Sequence, residues 1–144
     1  MINTVNWSQF NKGVFLVNVL GIIYQPTTNL ILIGRRENDP YIKELSWSFP
    51  GGRADYGEDL EYYLGLEIKK KTGLEVAIKD LVFAKTYPEK REFLSIYYHC
   101  EPTGGQEQAG DNLVELKWIK PTEVGSYFTT SIHPKILDYL KTLE

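Results

Sequence analysis

Trp47-Ser48-Phe49-Pro50-Gly51-Gly52-Arg53-Ala54-Asp55-Tyr56-Gly57-Glu58, followed by Glu67-Ile68-Lys69-Lys70-Lys71-Thr72-Gly73-Leu74, is the stretch on which the fold turns. Trp47 to Phe49 reads as a short strand stopped by Pro50 and two glycines. Residues 58–72 read as a helix. Glu58, Asp59 and Glu61 crowd its first turn and Lys69, Lys70 and Lys71 its last, the arrangement that the helix dipole favours. Gly73 supplies a left-handed cap. Leu60, Tyr63, Leu64, Glu67, Ile68 and Lys71 fall at helical spacings, so one face is apolar early and charged late. Gly65 inside the helix costs about 1 kcal/mol against alanine, which predicts a close neighbour at that position.

Working outward, residues 14–24 are β-branched and aliphatic and read as a strand buried on both faces. Residues 25–29 are turn-formers, and residues 30–36 return as the second strand of a hairpin. Residues 37–44 are polar, with Pro40, and read as a loop. Residues 81–86, 93–100 and 114–119 read as three further strands. In the second of these, Leu94, Ile96, Tyr98 and Cys100 share a face by the period of two. Residues 101–112 lack periodicity and read as a mobile loop. Ser131 is placed to cap a last helix with Ile132, Ile136, Leu140 and Leu143 on its buried stripe. Strands and helices in this order predict a mixed β-sheet between helices, an α/β/α sandwich of the α/β (α+β) class.

At 144 residues the chain is long enough for one domain with a real core, and residues 1–144 read as a single unit. The net charge of −3 gives no reason to expect direct nucleic-acid binding. One cysteine, Cys100, excludes an internal disulfide and a multi-cysteine metal site, and suits a cytoplasmic location. The first six residues lack the pattern of a secretory signal. The longest apolar run, broken by Asn18, is too short for a membrane span.

The glycine turn and the helix together resemble the Nudix box, G-x(5)-E-x(7)-R-E-U-x-E-E-x-G-U, with U a bulky aliphatic residue. Gly52, Glu58, Glu67, Ile68, Gly73 and Leu74 fit the pattern; Leu66 stands at the arginine, and Lys70 and Lys71 at the paired glutamates. The resemblance implies a Nudix-type sandwich and a pyrophosphohydrolase that cleaves a nucleoside diphosphate linked to another moiety, with magnesium or manganese as cofactor. It further implies Gly51, through its carbonyl, and Glu67 as metal ligands, Glu67 and Glu115 as catalytic groups, and Glu58 as a tie between loop and helix. Of the late acids, Glu107, Asp111 or Glu115 would be an alternative ligand or base, though a solvated acid is the commoner role.

Lys70 and Lys71 lie three and four residues beyond Glu67, on its helix face. A unit charge at about 5 Å from a divalent ion, at an effective dielectric near ~20, repels it by roughly 6 kcal/mol. The expectation is that metal dependence is weakened or altered, or that no metal is used, and that lysine charge partly replaces the ion in holding this face together. Arg35, Arg53 and Tyr87 are the substrate-binding candidates: the arginines for bidentate phosphate contact, the tyrosine for stacking on a base. Arg36 is a third candidate for phosphate contact, with surface charge the commoner role; Trp47 and Trp118 are candidates for stacking on a base, with core packing the commoner role; His99 and His133 read as structural or exposed, and Cys100 as a small buried hydrophobe. The expected ligand is a nucleotide or nucleotide-sugar, and the resemblance allows a homodimer. Three functions follow: a hydrolase with a divergent site, a catalytically inactive Nudix-fold module that binds a nucleotide, or a structural subunit that binds no nucleotide.

Overall fold

The computed structural model describes residues 13–40, 45–88 and 90–144, apart from the Tyr87 side chain. The N-terminal stretch and residues 41–44 of the polar loop, both read above, lie outside the described residues. Among the described residues seven strands and two α-helices follow in the order β1 (Leu16–Gln25), β2 (Leu30–Arg36), β3 (Trp47–Ser48), β4 (Gly51–Arg53), α1 (Leu60–Thr72), β5 (Leu74–Tyr87), β6 (Lys90–Gly105), β7 (Leu113–Ile119), a 3-10 helix (Pro121–Ser126) and α2 (Pro134–Lys141). The sheet runs β3-β2-β1-β6-β5, with β4 against β1 and β7 against β2. Among the described residues only the β1–β6 pair is parallel; the other pairs are antiparallel, so the sheet is mixed as expected.

The expected hairpin forms between β1 and β2, with Ile23 opposite Leu32 and Asn29 in the left-handed region closing the turn. Alternation then divides the core in two. Ile22, Ile31, Ile33, Phe49, Tyr97 and Ile119 pack under α2 and the 3-10 helix with Val124, Ile136 and Leu140. Val19, Ile23, Leu32, Tyr98 and Cys100 pack under α1 with Leu64 and Ile68. Neighbours in one strand, such as Ile22 and Ile23, thus serve opposite layers. That is the α/β/α sandwich, and among the described residues no helix is long and apolar enough to cross a membrane.

Several boundaries differ from the reading. Helix α1 starts two residues later than expected, because the Asp59 carboxylate accepts from the Tyr62 amide and makes Asp59 the cap. Glu58 is exposed, with no hydrogen bond or ion pair among the described residues, and so does not tie the loop to the helix. Strand β5 begins directly after Gly73; Leu74, Val76 and Ile78 alternate with polar or small residues, a strand signal passed over. Strand β6 continues to Gly105, so the first residues of the expected loop are in the sheet. The rest of that loop is fastened, because the amides of Gln108 and Gly110 donate to the carbonyls of Thr72 and Lys71 (2.8 and 2.9 Å). Helix α2 is capped by His133, whose Nδ1 accepts from the Lys135 amide. Gly65 has no close neighbour: an added Cβ would find Ile78 Cδ1 at 3.9 Å, an ordinary contact.

His99 is structural. It is buried on β6, its Nε2 lies 2.9 Å from Glu101 Oε2, and its Nδ1 is hydrogen-bonded to the Tyr139 hydroxyl. That chain ties α2 to the sheet.

Candidate functional site

Beyond the Ile23–Leu32 pair, β1 and β2 part. β1 pairs its edge at Asn18, Val19 and Leu20 with Arg53, Gly52 and Gly51 of β4, while β2 pairs Gly34 and Arg35 with Ser48 and Trp47 of β3. A cavity of about 320 Å³ lies where the strands diverge. Its wall contains Trp47, Phe49, Phe93, Tyr97 and Phe128, the polar Asn18, Ser95 and Asn112, and the charged Arg36, Asp39, Arg53 and Lys71. An apolar, aromatic wall with a few convergent charged groups is the usual make-up of a small-molecule site, and the volume is within the usual range.

The glycine turn meets the last turn of α1 here. An added Cβ on Gly51 would fall 2.0 Å from the Val19 carbonyl oxygen, and one on Gly52 would fall 2.7 Å from Glu67 Oε1. Only glycine permits this approach, and it brings the Gly51 carbonyl within hydrogen-bond reach of Lys71, whose Nζ donates to it. Lys71 Nζ also lies 3.5 Å from Glu67 Oε1, and Lys70 Nζ lies 3.1 Å from Glu67 Oε2. The Lys71 and Glu67 side chains are only 7% and 11% exposed, so this is a buried pair with a third, exposed partner.

The electrostatics follow from burial. Loss of solvation pulls the Lys71 ammonium below the ordinary lysine value; the Glu67 carboxylate opposes this, and Arg36 adds to it. Lys70, in water, is raised by its hydrogen bond to Glu67. Asp111, left-handed in the loop fastened to the end of α1, favours the charged form of both lysines.

The structure thus brings together Gly51 and Glu67, the two residues that the resemblance offers to a metal, but around an ammonium group. One oxygen of each is already engaged by Lys71, and Lys70 engages the other oxygen of Glu67. Among the described residues no three His, Cys, Asp or Glu side chains converge on one point. This donor set does not fit a divalent cation: magnesium asks for several hard oxygens and no adjacent positive charge.

The other candidates divide. Arg53 lines the cavity, and its guanidinium lies 5.2 Å from the centre of the Phe93 ring. Arg35 does not line it. Its Nε donates to Glu115 Oε1 at 2.9 Å and its Nη1 to Glu37 Oε1 at 3.1 Å, contacts that raise its pKa. Glu115 is thereby held on the exposed β7 side of that pair, and Glu107 accepts from the Trp118 indole N–H at 2.6 Å. Tyr87 ends β5, and its side chain lies outside the described residues. Trp47 lines the cavity, edge-on to Tyr127, where core packing was the commoner expectation and stacking on a base the other. Arg36, where surface charge was the commoner expectation and phosphate contact the other, also belongs to the wall. Its side chain is 18% exposed and its Nη1 donates to Asp39 Oδ2 at 2.8 Å. The missed signal is its place at the end of β2, the strand that leaves β1 at the fork.

Comparison with known proteins agrees with this architecture. A curated relative, the ADP-ribose pyrophosphatase of Methanocaldococcus jannaschii, is 32% identical over 106 residues, 72% of this chain and 60% of the relative. The chain therefore matches over only about three-fifths of that protein's length. Among solved structures, a NUDIX hydrolase from Nitrosomonas europaea superposes with a TM-score of 0.74 at 18% identity, covering 91% of this chain and 73% of the other. A MutT protein from Methanosarcina mazei gives 0.72 at 15% identity, covering 90% and 93%. An ADP-ribose pyrophosphatase from Streptococcus suis gives 0.66 at 19%, covering 88% and 90%. At such identities these three speak for the fold. The family model described as NUDIX domain matches residues 14–140, nearly the whole length, and this chain belongs to that family.

Proposed function

We propose that this protein binds a nucleoside diphosphate linked to another moiety in the cavity between β1, β3, β4 and α1, and that it does not act as a magnesium-dependent pyrophosphohydrolase. The observation that carries this reading is the Lys71 ammonium on the Gly51 carbonyl and the Glu67 carboxylate. Members of the family generally use divalent metals. Here a cation is already built into the chain. The aromatic wall suits a base or sugar face, and Arg36, Arg53 and Lys71 suit the phosphates. ADP-ribose is the first ligand to try, because the curated relative is an ADP-ribose pyrophosphatase.

That relationship also favours a second reading, hydrolysis of such a pyrophosphate by a route that spares the box. It requires a base from this chain. Glu67 is engaged by two lysines and Glu115 by Arg35, which supports the binding module over this route.

A panel of ADP-ribose, nucleotide-sugars and nucleoside triphosphates, with magnesium, with manganese and with chelator, separates the two. Calorimetric binding without release of nucleoside monophosphate supports the binding module. Steady release of monophosphate that is lost in chelator overturns it.

A further inference from the structure

We propose that Lys71 is the pocket's resident counter-cation, and that the ligand is received as its metal-free anion, with one phosphate oxygen on the Lys71 ammonium and the others facing Arg36 and Arg53. The ligand class rests on the reading above; the form in which it binds, and the residue that selects that form, are new.

An ammonium carries three protons. In Lys71 one is donated to the Gly51 carbonyl and one faces Glu67 Oε1, which leaves one for a group in the cavity that Lys71 lines. A second observation lies across the same cavity. Arg36 donates through Nη1 to Asp39, but its Nε is buried and meets no acceptor among the described residues. A buried donor without an acceptor is a standing penalty that an incoming phosphate oxygen would remove. Arg53 stands over Phe93 on the β4 side.

The charge balance of the wall narrows the ligand. Among the described residues, Arg36, Arg53 and Lys71 line the cavity with Asp39, and Glu67 lies beside Lys71, so the lining is cationic on balance. A pyrophosphate esterified at both ends carries one negative charge on each phosphate and presents two anionic groups to those cations. A nucleoside triphosphate brings more negative charge against the same cations. A magnesium complex would bring a divalent ion against the Lys71 ammonium, with the repulsion that Coulomb's law gives at contact distance. Holding the lysine here also works against its solvation, which burial of the ammonium makes plain. A methionine would fill the space without that penalty; beyond the tie to Gly51 and Glu67, the charge offers a contact to the ligand.

The test is calorimetric titration with ADP-ribose as the probe, in chelator and in saturating magnesium. Wild type is expected to bind in chelator, and more weakly once magnesium occupies the ligand. Lys71→Met is expected to lose about ten- to a hundredfold in chelator, the range for one charge-assisted contact. Lys79→Met, a charge control on β5 with an exposed side chain, should match wild type. Melting curves establish that each variant is folded, and Lys71→Gln serves if the methionine variant is not. Binding that appears only with magnesium overturns the resident-cation proposal and leaves the ligand class standing. So does an unchanged affinity in a folded Lys71 variant. Absence of binding to ADP-ribose, ADP and pyrophosphate in both buffers overturns the ligand class and this proposal with it. Manganese resonance of the protein alone provides a reading free of any ligand: wild type should leave the ion in its aqueous form, and a tightly bound manganese would overturn the proposal.

Discussion

The Lys71 ammonium donates to the carbonyl oxygen of Gly51, twenty residues away in the chain, and so ties the glycine turn to the last turn of α1. A turn with no side chain of its own cannot anchor itself by packing. It is held by β1, through the β4 pairing and through the Gly21 amide donating to the Pro50 carbonyl at 2.8 Å, and by Lys71 of α1. Lys71 differs from the other two ties in carrying a buried charge, and stability, ligand binding and pH response all follow from that charge.

The partners of that charge should behave asymmetrically. Glu67→Gln leaves the Lys71 ammonium buried without a counter-charge and Lys70 without its partner, and should cost about 3 kcal/mol. Lys71→Met leaves Glu67 paired with Lys70 and removes the desolvated group, so it should lie within about 1 kcal/mol of wild type. Urea unfolding of both variants checks the order. A Lys71→Met loss larger than that of Glu67→Gln would mean that the hydrogen bond to Gly51, not the ion pair, carries the tie.

Three glycines should respond to alanine in three ways. At Gly51 the new Cβ meets Val19 and Leu20 backbone atoms at 2.0 and 2.9 Å, which cannot yield without breaking β4 from β1, so Gly51→Ala should fail to fold or be severely destabilised. At Gly52 it meets the ends of the Glu67 and Tyr63 side chains at 2.7 and 2.8 Å, so Gly52→Ala should fold with Glu67 displaced and ligand binding weakened. At Gly65 it meets only Ile78 Cδ1 at 3.9 Å, an ordinary contact, and Gly65→Ala should stabilise by about 1 kcal/mol, roughly 3 °C in melting temperature. Calorimetric melts of the three rank them.

Cys100 should be inert in the folded protein. It is fully buried between the sheet and α1, and burial pushes its thiol up to about 12. A thiol reagent at pH 8 should label it only in denaturant; labelling at the rate of an exposed cysteine would place this face of β6 in solvent.

What the sequence made legible was what depends on near neighbours. The glycine turn, the lysine-rich helix end and the left-handed Gly73 are local signals, and each is where the pattern predicts it. The α/β/α layering followed because alternation in β1, β2 and β6 supplies two apolar faces, and two faces need two covers. What stayed hidden depends on the meeting of distant segments. That Lys71 finds a backbone carbonyl has no residue signature, because a carbonyl belongs to every residue. Arg36 read more as surface charge than as a phosphate contact because the parting of β1 from β2, which places it in the wall, is a property of pairing and not of composition. The sequence offers Arg35 and Glu115 separately, as a phosphate contact and a catalytic acid; that they lie opposite one another on β2 and β7 and pair there comes from strand pairing.

Ligand affinity and stability should respond to pH with opposite signs through the same residue. Loss of solvation lowers Lys71 below the ordinary value of 10.5, so the folded chain releases this proton at a lower pH than the unfolded chain does. Between those two values the unfolded chain binds more protons, and the Lys71 contribution to stability rises with pH; below the folded value the penalty of the buried ammonium is fully present. Anion binding needs the charged form. Affinity for ADP-ribose should therefore be level near neutral pH and fall as pH rises through the lowered Lys71 value, by up to about tenfold per unit, before surface lysines titrate. In Lys71→Met the affinity should be lower throughout and lack this step. Titrations of both proteins from neutral to alkaline pH check the difference. If both profiles fall together, Lys71 is not the titrating group that holds the ligand; if only the wild type falls while its stability gains, the buried ammonium is retained for binding at the expense of the fold.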